Sequence, residues 1–240
     1  MPLLGRRIRV LVVEDEPLYR GLLTTALSQD PLLEVVGSFA DGRSAVAAAP
    51  TLGAHVALLD LDLGGEPDGM RTGLLLRRIL AEVGVVLLSH LAAPRLLTAL
   101  PPEHAWGWSY LLKRSVADVA TLRCAVRRAA AGEVMVDPAL VARRVAHSTG
   151  VLGRLTERQR TLVELLAQGW DNEAIALRLS LAPKTVDNQL SQIYLALGLG
   201  RAAAGLNPRV RTVLLYLEET YVDSAEAAVG EPLLHVVGGS

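Results

Sequence analysis

Over its first 132 residues the chain alternates short apolar runs with stretches of helical periodicity, and this alternation restricts the fold more than any other feature. The runs are 8–13, 34–38, 54–60, 83–89 and 107–112. Helical patterns follow at 17–29, at 42–49, from the glycine-rich loop 64–69 to about 82, at 94–100 and at 116–131, the last stopped by Gly132. Apolar runs this short, separated by helices, are βα units, whose parallel strands need crossovers that cover both sheet faces. Five units predict an α/β domain with a doubly wound, five-stranded parallel sheet. Reactive groups in such sheets gather beyond the carboxyl ends of the strands, here Glu14, Asp15, Asp60, Ser89 and Lys113.

The strand pattern then stops. Residues 133–150 read as a linker in which Asp137 and Pro138 cap and start a short helix. Beyond 151 only helical periodicity remains. Thr156-Glu157-Arg158-Gln159 forms a capping box for a helix ending at Gly169, Asp171 caps a second, Pro183 opens a third that runs to about 197, and Asn207-Pro208 starts a fourth. The expected division is an α/β domain at 6–132, the linker, a small all-α domain at 151–222 and an acidic, loosely structured tail at 223–240.

At 51% hydrophobic and 20% charged residues the chain has ample material for two cores, which excludes a disordered protein. Its net charge of −1 conceals an asymmetry: 151–217 holds eight basic residues against five acidic, a net of +3, while 218–240 holds five acids and no Lys or Arg. The single cysteine, Cys124, excludes an internal disulfide and is expected to be a buried thiol in a reducing cytoplasm. No apolar run approaches the roughly 20 residues of a membrane span, so no membrane partner is expected.

Glu14, Asp15 and Asp60 on one rim would hold more negative charge than Lys113 can balance, and an all-oxygen donor set points to Mg²⁺. An aspartate beside a metal and a lysine is a competent phosphoryl acceptor, and Asp60, ending the most apolar strand, is the best candidate. Lys113 is one of only two lysines in the chain, the other being Lys184.

Val12-Val13-Glu14-Asp15-Glu16, Leu58-Leu59-Asp60-Leu61-Asp62, Leu87-Leu88-Ser89 and Trp108-Ser109-Tyr110-Leu111-Leu112-Lys113 together resemble the flavodoxin-like receiver domain of two-component response regulators. The resemblance implies that Asp60 accepts a phosphoryl group from a sensor histidine kinase. It also implies that Glu14, Asp15, Asp60 and Asp62 hold Mg²⁺, that Ser89 and Lys113 take phosphoryl oxygens, and that Tyr110 reorients as a switch. The chain departs from the family in the loop Leu63-Gly64-Gly65-Glu66-Pro67, which is a residue longer and has its proline displaced.

In the second half, Leu155-Thr156-Glu157-Arg158, Ala167-Gln168-Gly169, Asn172, Ile175-Ala176, Thr185-Val186, Ile193-Tyr194 and Leu197-Gly198-Leu199 resemble the LuxR-type helix-turn-helix of NarL/FixJ-type regulators. Burying Ile175, Leu179, Leu181, Val186, Leu190, Ile193 and Leu197 leaves Lys184, Thr185, Asp187, Asn188, Ser191 and Gln192 facing outward, the set a recognition helix would offer to double-stranded DNA. Asp187 stands where the family commonly has lysine. The resemblance implies a cytoplasmic transcription regulator, not an enzyme, that forms a homodimer when activated. Three alternatives stay open: a phosphorylation-independent regulator, an adaptor whose helical domain binds protein, and a phosphatase of the haloacid-dehalogenase type, suggested by Asp60-Leu61-Asp62.

Overall fold

The computed structural model describes residues 7–92, 97, 98, 100, 105–141, 150–199 and 207–229. Its strands are β1 (Ile8–Val13), β2 (Leu33–Phe39), β3 (Val56–Asp60), β4 (Gly84–Ser89), β5 (Trp108–Leu112) and β6 (Met135–Val136). The helices α1 (Pro17–Ser28), α2 (Gly42–Leu52), α3 (Gly69–Ile79) and α4 (Val119–Ala130) surround them. The short helix expected at 94–100 lies largely outside the described residues.

All strands pair in parallel in the order β2-β1-β3-β4-β5-β6. Alternation within each strand sorts the two faces. Leu11, Val13, Ala57, Leu59, Val85, Leu87 and Trp108 pack with Ala45 and Ala49 of α2 and Leu76 of α3. Val10, Val12, Val56, Leu58, Val86, Leu88 and Leu111 pack with Leu23 and Leu27 of α1 and Leu122, Ala125 and Val126 of α4. Each fully buried Val or Leu contributes about 1.5–3 kcal/mol, so every strand is secured from both sides.

Three expectations are corrected. Among the described residues the sheet has six strands, not five, because Met135 and Val136 in the expected linker pair with Ser109 and Tyr110. The last helix, α9 (Pro208–Val229), continues past Asp223 into the segment expected to be a loose tail; three of the seven residues at 223–229 are Ala, the strongest helix former. Cys124 is half-buried at the margin of the second cluster rather than fully enclosed.

Beyond β6 come α5 (Pro138–Val141), α6 (Glu157–Ala167), α7 (Asn172–Arg178) and α8 (Pro183–Ala196), then α9. The first apolar cluster runs on through Val136, Leu140, Val141 and Leu152 into Leu162, Leu166, Ile175, Ile193 and Leu217, so one core joins the sheet edge to the helical half. Polar contacts tighten that junction. Arg128 of α4 reaches the Asp171 carboxylate at 3.1 Å, and the Tyr216 hydroxyl of α9 donates to the Val141 carbonyl at 3.2 Å. Gly169, at φ +82°, admits Met135 so closely that a Cβ there would lie 2.9 Å from its Cγ.

Candidate functional site

Strand register builds the rim. Val13 pairs with Leu59, Asp60 with Leu88, and Ser89 with Leu112, so the residues that follow or end these strands converge. Asp60 is 3% exposed, Glu14 is fully buried and Lys113 is 9% exposed. The Lys113 ammonium lies 2.9 Å from Asp60 Oδ2 and 3.0 Å from Glu14 Oε1, bridging two carboxylates at the ends of the neighbouring strands β3 and β1. Burial pushes the Glu14 carboxyl above its ordinary pKa, against the hydrogen bond from Lys113. Burial works against the Lys113 charge, yet hydrogen bonds to Asp60 and Glu14 outweigh it and hold the ammonium above the ordinary lysine value.

Asp15 stands exposed beside this buried pair, and ligand oxygens of Glu14, Asp15 and Asp60 all lie within 4.8 Å of one another. Three carboxylates against one ammonium leave a net charge of −2, in an all-oxygen setting that suits a hard divalent cation. The Asp62 side chain is exposed, and its backbone N–H donates to Asp60 Oδ1 at 3.2 Å, steadying the carboxylate. Ser89 is fully buried, its Oγ accepting from Leu91 N–H at 3.0 Å. The buried Tyr110 hydroxyl donates to the Leu91 carbonyl at 2.7 Å. Ser89 and Tyr110 thus grip the same peptide segment from two strands, while His90 between them in sequence is exposed.

Other contributors escape a reading of strand ends. Tyr19 of α1 donates its hydroxyl to the Lys113 carbonyl at 3.2 Å and sets its ring 4.8 Å from the ammonium. Arg20 donates to the Glu14 and Asp15 carbonyls at 2.5 and 3.2 Å, fixing the acidic turn. Gly69, the first residue of α3, is required: a Cβ there would lie 2.0 Å from the Asp60 carbonyl oxygen. Asp137 is fully buried, accepting from Leu112 N–H and Ala139 N–H at 2.8 Å each. It therefore ties the end of β5, next to Lys113, to the start of α5. The nearest sequence signals were the Tyr19-Arg20 pair one turn beyond the acids and the capping position of Asp137.

In the helical half, Thr156 and Gln159 form the reciprocal capping box, with bonds of 3.3 and 3.0 Å, and Asp171 caps α7 at 2.7 Å. Ile175, Val186, Leu190, Ile193 and Leu197 are buried between α7 and α8, with Leu179 and Leu181 half-buried. Lys184, Asp187, Asn188, Ser191 and Gln192 are exposed on the outer face of α8, while Thr185 is half-buried. The Ser191 hydroxyl donates back to the Asp187 carbonyl at 2.9 Å.

A parallel βα sheet carrying an acid–lysine rim, joined to a helical domain with a polar outward helix, defines a modular signalling regulator. Residues 10–120 match the response regulator receiver domain family and 153–202 the luxR family of bacterial regulatory proteins. The DNA-binding transcriptional activator DevR/DosR of Mycobacterium tuberculosis is 33% identical over 205 residues, covering 81% of this chain and 90% of that protein. The response regulator protein VraR of Staphylococcus aureus (strain NCTC 8325 / PS 47) is 31% identical over 191 residues, covering 78% and 88%. A solved structure of two RcsB dimers bound to two parallel DNAs matches 89% of this chain and 99% of that one, at 22% identity and a TM-score of 0.49. The chain belongs to the two-component response regulators that join a receiver domain to a LuxR-type helix-turn-helix. This is a family of regulators, not typically of enzymes. Among the described residues no helix is long and apolar enough to cross a membrane.

Proposed function

We propose that this chain is a cytoplasmic transcription regulator whose receiver domain, 6–132, is phosphorylated on Asp60 by a sensor histidine kinase and whose helical domain, 151–222, binds double-stranded DNA through the outer face of α8. The observation that carries the reading is the buried Lys113 ammonium held on both Asp60 and Glu14 beside the exposed Asp15. In phosphoryl transfer the bond from phosphorus to the donor's leaving atom breaks and a bond to an Asp60 carboxylate oxygen forms, giving an acyl phosphate. Mg²⁺, held by Glu14, Asp15, Asp60 and the main chain of Asp62, supplies neutralisation of the phosphoryl charge when bound.

Lys113 then exchanges its contact with the Asp60 carboxylate for one with a phosphoryl oxygen. Ser89 turns its hydroxyl to another, giving up its bond from Leu91 N–H, and Tyr110 reorients as that segment moves. Because Lys184, Asp187, Asn188 and Gln192 are exposed already, the switch acts by pairing two chains rather than by uncovering α8. A homodimer places two copies of α8 on half-sites about one helical turn apart.

Incubation with Mg²⁺ and a small acyl phosphate, followed by intact mass, tests the first half of the reading. One phosphoryl group is expected on the native chain and none on Asp60→Asn; no adduct on the native chain contradicts it.

A further inference from the structure

Asp187 is anomalous on a helix face meant for a polyanion, since an exposed carboxylate repels phosphate. Its surroundings give it a different use. Asn172, at the start of α7, donates through Nδ2 to Asp187 Oδ1 at 2.7 Å. The same amide accepts at Oδ1 from Arg209 Nη1 at 3.0 Å, so its orientation is set by a donor on one side and an acceptor on the other. Arg209 is itself anchored, its Nη2 donating to the Trp170 carbonyl. Three helices thus cooperate to fix one carboxylate: α9 supplies the cation, α7 the amide and α8 the acid. Arg209 lies against the helical core, and burial draws its pKa down, a penalty the chain tolerates in keeping a cation behind the relay.

The relay occupies one Asp187 oxygen and leaves the other exposed as an acceptor of fixed direction. Lys184, Asp187, Asn188 and Ser191 recur at intervals of three and four residues, so they share one face of α8 with Asp187 at its centre. In a major groove only two base-edge groups donate, the amino groups of cytosine and adenine. Adenine sets the N7 acceptor beside its amino group, where it opposes a carboxylate, whereas cytosine sets a C–H there. We infer that Asp187, positioned by Asn172 and Arg209, reads the amino group of a cytosine and fixes one C·G pair in each half-site. The inference rests on the proposed DNA-binding role of α8 and deepens it.

Selection from random duplexes with the full chain, treated with acyl phosphate and Mg²⁺, tests it. The native protein is expected to enrich a motif with cytosine at one position per half-site. Replacement of that base is expected to weaken binding by about tenfold, the lower part of the range for a base contact. Asp187→Asn is expected to switch that single position from cytosine to adenine, whose paired donor and acceptor match an amide, and to leave the rest of the motif unchanged. Asn172→Ala, which keeps the carboxylate but frees it, should reduce the cytosine preference without introducing adenine. An unchanged motif with uniformly tighter binding in Asp187→Asn overturns the inference alone, since Asp187 would then only repel phosphate. Failure of the native protein to enrich any sequence, with Asp60 phosphorylated, overturns the DNA-binding reading and this inference with it.

Discussion

The carboxyl rim of the sheet and the outer face of α8 both carry charge, but they hold it in opposite ways. At the rim, Lys113, Glu14 and Asp60 are buried, and one ammonium is shared between the two carboxylates. On α8, Lys184, Asn188 and Gln192 stand in solvent, and Asp187 is held from behind by a neighbouring helix. A buried cluster answers a change of charge by rearranging, because none of its members can remain unpaired cheaply. An exposed face pays little in the free protein, and its charges act only when a ligand arrives and counterions leave. The rim is therefore suited to switching and α8 to recognition, with Asp137, Arg128 and Tyr216 among the contacts between them.

The sharpest break in this comparison is Lys113→Met. It leaves Glu14 and Asp60 facing each other in a buried setting and should destabilise the receiver by about 3–5 kcal/mol in chemical denaturation without divalent cation. A loss under 1 kcal/mol would mean that the rim is as solvated as α8. Gly69→Ala comes next. With its Cβ forced against the Asp60 carbonyl, the start of α3 must shift, which is expected to cost about 1–3 kcal/mol and to slow acquisition of the phosphoryl group in a mass time course.

Tyr216 probes the junction between the regions. Burial pushes its phenol up to about 12. From the ordinary value near 10 to that point, the folded chain holds a proton that the unfolded chain has released, so stability falls as pH rises through the window and is unaffected below it. The expected loss is about 2–3 kcal/mol. Tyr216→Phe should remove that loss, in exchange for about 1 kcal/mol at neutral pH from the unpaired Val141 carbonyl. Equal alkaline losses in both proteins would detach Tyr216 from the junction. The smallest effect belongs to Lys184→Ala, which is expected to lower the salt dependence of DNA binding by about one counterion while leaving the sequence preference intact. A changed preference would make Lys184 a base-reading residue.

Much of the fold was legible because strand burial is written into composition: 54–60 and 83–89 are so apolar that they suit only central parallel strands. Register then carries the strand-end residues to one rim, so Asp60, Ser89 and Lys113 could be named before their contacts were known. β6 was not legible because two residues, Met135 and Val136, are too few to show a period. The extension of α9 was masked by reading acidic composition as a solvated tail, although Ala and Glu also favour helix. Least legible were the side-chain partners. Nothing local in the sequence links Asn172 to Arg209, 37 residues away, or Tyr19 to Lys113, 94 residues away. Such contacts are products of packing.

The central claim, that charge at the buried rim controls use of the exposed face, is tested most directly by DNA affinity at fixed salt. The native chain and Asp60→Asn would be titrated against a selected duplex, before and after treatment with acyl phosphate and Mg²⁺. Coupling between the regions predicts that phosphorylation tightens native binding by about 5- to 150-fold and leaves Asp60→Asn unchanged. A native chain whose intact mass shows the phosphoryl group on Asp60, yet whose affinity for the duplex does not move, would contradict it.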